Sequence, residues 1–170
     1  VLEGLDSADV AAAVSALDSD DAVGLMGELD PSARAAILAR LSPSDRAILE
    51  ESLSYPEESA GRLMQREVVT VPPHWRVGDA IDYMRARAAH LPHDFYDIFV
   101  VDAERRPVGV VPLSRLMRNR RLTPLAEVMQ REMRQVAVST DEEQVAYLFR
   151  QYGLVSAPVV DATGRLMGVI

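Results

Sequence analysis

Apolar and polar positions in the first part of the chain repeat every twelve residues, with leucines at 5, 17, 29, 41 and 53. The units read LDSADVAAAVSA, LDSDDAVGLMGE, LDPSARAAILAR and LSPSDRAILEES. Val10, Val14 and Leu17 recur at i, i+4, i+7, and Ile37, Leu38 and Leu41 follow the same face. That is the spacing of an amphipathic helix. Each unit opens on Leu-Asp/Ser-Ser/Pro, where Asp or Ser supplies an N-cap oxygen and Pro suits the first turn. Asp6, Asp18 and Asp30 are therefore expected to be caps before they are ligands. A two-turn helix is too short to be stable alone. Stacked units share a core, which predicts a helical solenoid over residues 1–53.

From Met64 the pattern changes and repeats on a longer scale. Met64-Gln65-Arg66-Glu67 returns as Met129-Gln130-Arg131-Glu132, an offset of 65 that also pairs Val71 with Val136 and Met84 with Phe149. Val100-Val101-Asp102-Ala103 matches Val159-Val160-Asp161-Ala162, and Gly109-Val110-Val111 matches Gly168-Val169-Ile170, at an offset of 59. The first copy holds six extra residues around RARAAHLPHDFYD, a loop signal. Its elements are predicted as a strand Val68–Val71, a helix Val77–Arg87, a strand Ile98–Asp102, a turn Ala103–Arg106 and a strand Val108–Val111. In the second copy Ser139-Thr140-Asp141 marks the helix start, with Glu142 and Glu143 in the first turn, where carboxylates suit the macrodipole. Two β-α-β-β units in tandem are expected to pair into one pseudo-symmetric disc. Between the patterns lies SYPEESAGRLM, residues 54–64, which Pro56 is expected to break away from the solenoid and Gly61 to turn toward the repeats. Its Glu57 and Glu58 read either as a reactive carboxylate pair or as the rim of a hinge.

Composition narrows the function. The 170 residues contain no Cys, which excludes disulfides, zinc-thiolate sites and a Cys nucleophile. No apolar run is long enough to span a membrane. The chain starts inside a helical pattern without Met and stops in mid-strand at Ile170, as a piece of a longer protein would. The net charge of −8 is unevenly placed. Residues 1–58 carry 13 acids against three Arg, a net of −10, and residues 59–170 a net of +2. An acidic segment repels phosphates, so no nucleic-acid partner is expected. It suits a basic protein face or divalent cations, or it is a solvated surface. No Ser-His-Asp set, Gly-rich phosphate loop or separated acid–base pair points to an enzyme.

The strand-turn-strand signature of the tandem unit resembles the cystathionine β-synthase (CBS) domain pair. SYPEESAGRLM, DFYDIFVVD, RPVGVVPLSRLM and RQYGLVSAPVVDATGRLMGVI resemble the MgtE family of magnesium transporters and channels, and the acidic helical repeats resemble that family's N domain. The resemblance implies a multi-domain α+β chain: a short-helix solenoid N domain (1–53), a junction (54–62), a first CBS domain (63–126) and a C-terminally truncated second one (127–170). It further implies the cytosolic, Mg²⁺-sensing part of a homodimeric membrane protein whose pore lies outside this sequence. Ions bound between the N domain and the CBS pair would hold a compact state that favours the closed pore.

Candidate ion ligands follow. Asp141, Glu142 and Glu143 are the densest acids of the CBS half, and Asp141 and Glu143 fall where the family places Mg²⁺-binding acids. In the N domain Asp9, Asp20, Asp21 and Glu28 are candidates. The family has a further acid after the QY pair, where this chain has Gly153. The alternative reading is an adenosine-nucleotide sensor, because CBS pairs in other proteins bind adenosine nucleotides in the cleft between the repeats, and the resemblance to the MgtE family implies ATP as a ligand. The usual Thr/Ser and Asp of that signature fall on Pro112 and Arg115, and Arg115 reads as a phosphate contact or a solvated helix residue. His90, His93 and Asp94 lack the i, i+4 spacing of a helical metal site.

Overall fold

The computed structural model describes residues 7–170. Four helices open it: α1 (Ser7–Ser15), α2 (Ser19–Glu28), α3 (Pro31–Leu38) and α4 (Pro43–Ser54). They start at twelve-residue intervals as the leucine spacing requires, and α1 packs on α3 while α2 packs on α4. Val10, Val14, Val23, Met26, Ile37, Leu41 and Leu49 form the shared core. Asp30 caps α3 by accepting from Ser32 and Ala33 N–H, and Ser42 caps α4 by accepting from Asp45 N–H. Asp6 lies outside the described residues. Asp18 stands at the N-cap of α2, but its side chain caps nothing, contrary to the sequence expectation.

The twelve-residue pattern also carries an arginine. Arg34 donates to the carbonyls of Met26, Gly27 and Leu29, and Arg46 to those of Leu38, Ala39 and Leu41, the same three positions one unit later. Each guanidinium satisfies the free C-terminal carbonyls of the preceding helix and meets the negative end of its dipole.

After α4 the chain is extended at Tyr55, the conformation a following Pro imposes, and enters α5 (Ala60–Leu63). The first repeat then runs β1 (Thr70–Val71), α6 (Val77–Ala86), β2 (Asp97–Val101), β3 (Pro107–Pro112) and α7 (Leu113–Arg118). The second follows as α8 (Leu125–Val128), β4 (Val136–Ala137), α9 (Glu142–Tyr152), β5 (Pro158–Val160) and β6 (Leu166–Val169). Each repeat has a three-stranded sheet, the first strand parallel and the last antiparallel to the middle one. The register slips at Val100/Val101 in one and at Val159/Val160 in the other, the same place in both copies.

The copies are interleaved. The segment before β1 leaves its own repeat and bridges the edge of β6, with Gln65 and Val169 exchanging two backbone hydrogen bonds of 2.8 Å. Its counterpart before β4 bridges β3 in the same way, Gln130 against Val110. Gly61 N–H donates to Val138 O in the second repeat, while Leu125 N–H donates to Trp75 O in the first. This exchange explains the repeated Met and Gly. A Cβ at Gly109 would lie 2.6 Å from Met129 Sδ, and one at Gly168 would lie 2.9 Å from Met64 Sδ. The methionine of each Met-Gln-Arg-Glu string thus lies over the glycine of the other copy's last strand.

Gly61 differs from the sequence expectation. It is a helical residue of α5 with no left-handed backbone, so it is not needed for a turn. It is needed for space, since a Cβ there would come within 2.7 Å of the Tyr55 ring.

Candidate functional site

The pseudo-symmetric disc has two clefts related by exchange of the copies. The first, of about 1180 Å³, is lined by Phe95–Asp97, Val110, Pro112–Ser114 and Met117 of the first repeat, by Gln130–Arg134, and by Tyr152–Ser156 of the second. The second, of about 350 Å³, is lined by the mates of these residues, Gln65, Glu67, Val68, Val69 and Val169, and by the shared strip Phe95–Asp97, Val155 and Ser156. Asp97 and Ser156 are themselves mates at the offset of 59, and the Ser156 hydroxyl donates to the Asp97 carboxylate between the clefts.

The two clefts differ in charge. The first is balanced, with Arg131 and Arg134 beside Glu132 and Asp97, and Arg134 is stacked 4.2 Å from the ring centroid of Tyr152. Cations beside aromatic and apolar walls suit an anionic ligand with a flat ring system. Arg115 is not among its lining residues; its guanidinium donates to Val128 O, so it is held by the end of α8. The second cleft is acidic, with Glu67, Asp94, Asp97 and, from the N domain, Asp20. The mate of Arg131 is Arg66, which turns away to form a 2.8 Å ion pair with Glu51 on α4.

Of the sequence candidates, Asp20 is the one that the fold brings to the domain boundary. Its Oδ1 is fully buried without a hydrogen-bond partner. Burial, aided by Asp21 and Asp18, pushes its carboxyl above the usual carboxylate range. Asp21 sits in the same first turn of α2 and is exposed, and Asp9 is exposed on α1. Glu28 is exposed at the end of α2.

Asp141, Glu142 and Glu143 do not line either cleft. Asp141 is the N-cap of α9, accepting from Glu143 N–H at 2.9 Å, and all three are exposed. The junction runs alongside: Glu142 N–H donates to Glu58 O, and Ala60 N–H to Thr140 O. Glu57 and Glu58 therefore share an acidic rim with the start of α9. Gly153 ends α9 in the left-handed region at φ 59°, where an acidic side chain would be strained. His90 and His93 are exposed, and Asp94 belongs to the second cleft rather than to a histidine cluster.

Among the described residues no three carboxylate or imidazole side chains converge into a ready metal site. The donor set still fits Mg²⁺, a hard ion that keeps several waters and binds through one or two carboxylates. The orphaned Asp20 Oδ1 is such a donor. Sequence reasoning missed Glu67, although its place in the repeated string was visible. What could not be read was that the two copies of that string face different surroundings.

Comparison with known proteins gives the same organisation. The family profile of the MgtE intracellular N domain matches residues 1–58, and that of the CBS domain matches residues 60–121 and 125–170. The magnesium transporter MgtE of Thermus thermophilus is 37% identical over 122 residues, 72% of this chain. The chain spans 27% of that transporter's length. A crystal structure of the cytosolic domain of the Mg²⁺ channel MgtE in complex with ATP superposes with a TM-score of 0.87 at 30% identity, covering 100% of this chain and 74% of that one. A crystal structure of the soluble part of a magnesium transporter superposes with a TM-score of 0.93 at 30% identity, covering 99% and 66%. No helix among the described residues is long and apolar enough to cross a membrane. An acidic helical stack, a YPEESAG junction and an interleaved CBS pair, in that order along one chain, place this protein in the MgtE magnesium transporter family.

Proposed function

We propose that the chain is the Mg²⁺-sensing regulatory region of an MgtE-type transporter. Ions bridge the acidic N domain to the CBS pair, and the compact form they hold favours a closed pore. The observation that carries this reading is Asp20: a carboxylate at the domain boundary with one oxygen buried and unpaired, facing a cleft that already holds Glu67, Asp94 and Asp97. Such a boundary is repulsive without cations and relaxed by them. Ions that bind only the docked form shift the population toward it. Asp141, Glu142, Glu143, Asp9 and Asp21 supply further exposed acids for this surface, with Glu58 beside the first three. In the full protein the region pairs as a homodimer on the cytoplasmic face of the membrane.

The test is a MgCl₂ titration to about 20 mM against a NaCl series of equal ionic strength. The expected result is a smaller scattering radius and a higher melting temperature in Mg²⁺ alone. A response identical to NaCl in both measurements would remove the sensing role.

A second ligand is favoured by the first cleft. Its open volume, Arg131, Arg134 and Tyr152 suit an adenosine nucleotide, and the similar MgtE cytosolic domain was crystallised with ATP. Calorimetry with ATP is expected to show binding that Arg131→Ala weakens; equal heats from wild type and variant would refute that site.

A further inference from the structure

Pseudo-symmetry predicts the same environment for both Met-Gln-Arg-Glu strings, and the structure shows two different ones. Glu132 lines the open first cleft and is exposed, and among the described residues its side chain makes no hydrogen bond. Its mate Glu67 reaches into the N domain. Ser19, the first residue of α2, donates to Glu67 Oε2 from its backbone N–H at 3.1 Å and from its hydroxyl at 2.8 Å. The Ser19 hydroxyl in turn accepts from Arg66 N–H at 2.7 Å. Ser19 is 5% exposed. Glu67 therefore takes over the cap that Asp18 leaves unfilled.

We propose that the acidic second cleft is the docking receptacle of the N domain, with Glu67 as its latch. The free N–H and hydroxyl of Ser19 at this helix end are the donors that Glu67 meets, while Asp20 beside them carries the repulsion that a cation relieves. The first cleft, where Arg131 and Arg134 stand beside Glu132 and Asp97, makes no such bond to the N domain. The neighbouring contacts anchor the same strip: Arg62 donates to Leu53 O at 2.9 Å, and Arg66 pairs with Glu51. All of these are direct contacts between protein groups at hydrogen-bond distance. Glu67 sets how much of the N domain is docked before any cation binds, and so where a cation response is centred. That last clause rests on the Mg²⁺ reading; the latch itself does not.

The chain has no native cysteine, so a spin-label pair at Ala36→Cys and Ala126→Cys, both exposed, reports the distance from N domain to CBS pair. Pulsed dipolar spectroscopy is run in EDTA and along a MgCl₂ titration, without nucleotide. Glu67→Ala is expected to lower the docked-to-undocked ratio at least about tenfold, since it loses both hydrogen bonds that the carboxylate accepts from Ser19. Glu67→Gln retains an acceptor and is expected to fall between the two. Ser19→Ala leaves the CBS sequence untouched and removes two of the three bonds, so it separates undocking from damage to the disc. Glu132→Ala is expected to match wild type. Docked fractions of Glu67→Ala and Ser19→Ala that coincide with wild type throughout the titration overturn the latch, as does an equal loss in Glu132→Ala. A wild type that ignores Mg²⁺ while Glu67→Ala still undocks in EDTA refutes the sensor and leaves the latch standing.

Discussion

Replacing Gly168 by Ala tests the interleaving of the repeats directly. A Cβ at 168 would lie 2.5 Å from the backbone carbonyl oxygen of Gln65 and 2.9 Å from Met64 Cγ and Sδ. The methionine can swing; the carbonyl cannot move without its strand. Gln65 is held by two 2.8 Å hydrogen bonds to Val169, so relief of the clash loosens both. Overpacking contributes roughly 1–3 kcal/mol and the two weakened bonds about 1 kcal/mol each, giving a loss of roughly 3–5 kcal/mol. Gly109→Ala is the internal comparison. There the close atoms, at 2.6, 3.0 and 3.2 Å, all belong to the Met129 side chain. A flexible thioether gives way, and the expected loss is about 1–2 kcal/mol. Gly24, in mid-α2, has nothing within 4 Å of an added Cβ, so Gly24→Ala is expected to stabilise by about 0.5–1 kcal/mol. Thermal melts followed by circular dichroism rank the three, with roughly 2–4 °C per kcal/mol for a chain of this size. Gly168→Ala melting within about one degree of wild type, or above Gly109→Ala, would refute the exchange as a source of stability.

Asp20→Asn addresses the domain boundary. Burial raises the Asp20 pKa above 3.8, so the stability it contributes is full below that value and is lost as pH rises through the folded-state value. The variant is expected to make the metal-free melting temperature higher and flatter across roughly pH 4 to 7, with a smaller gain from Mg²⁺; a steeper profile would contradict this. Arg46→Ala removes three donors from the end of α3 and is expected to destabilise the N domain by about 2 kcal/mol in urea melts. Arg105 sits at φ 63°, where its mate is Gly164 at φ 80°. Arg105→Gly is therefore expected to raise the melting point by an amount equivalent to about 0.5–1 kcal/mol, and a decrease would show that the arginine side chain has a compensating contact.

Periodic features were legible because they are local. The leucine spacing placed four helices, the Pro and Asp signals located their starts, and the offsets of 65 and 59 located two β-α-β-β units. Asp141 behaves as the cap that its position implies. What the sequence hid is set by partners far along the chain. Asp18 and Asp30 occupy equivalent places in the repeat, yet one caps its helix and the other is replaced by Glu67, 48 residues beyond Ser19. Gly61 looked like a turn residue because composition cannot distinguish a glycine needed for its backbone from one needed for its missing side chain. Asp20 could not be separated from Asp21 by type or spacing; only burial singles it out. The two clefts were invisible for the same reason, since they arise where the copies meet.

The crossing of Gln65 and Gln130 to opposite copies bears on how such a disc arises. A single β-α-β-β unit would leave its Met-Gln segment without a sheet edge and its own glycine strand uncovered. Two separate units could satisfy both only by trading segments, which is a swapped dimer whose folding depends on concentration. Joining them in one chain turns that second-order encounter into a first-order closure, with the partner segment held at the high effective concentration of a short tether. The exchange then survives dilution, while the two joined halves are free to diverge, one toward a ligand and the other toward a neighbouring domain.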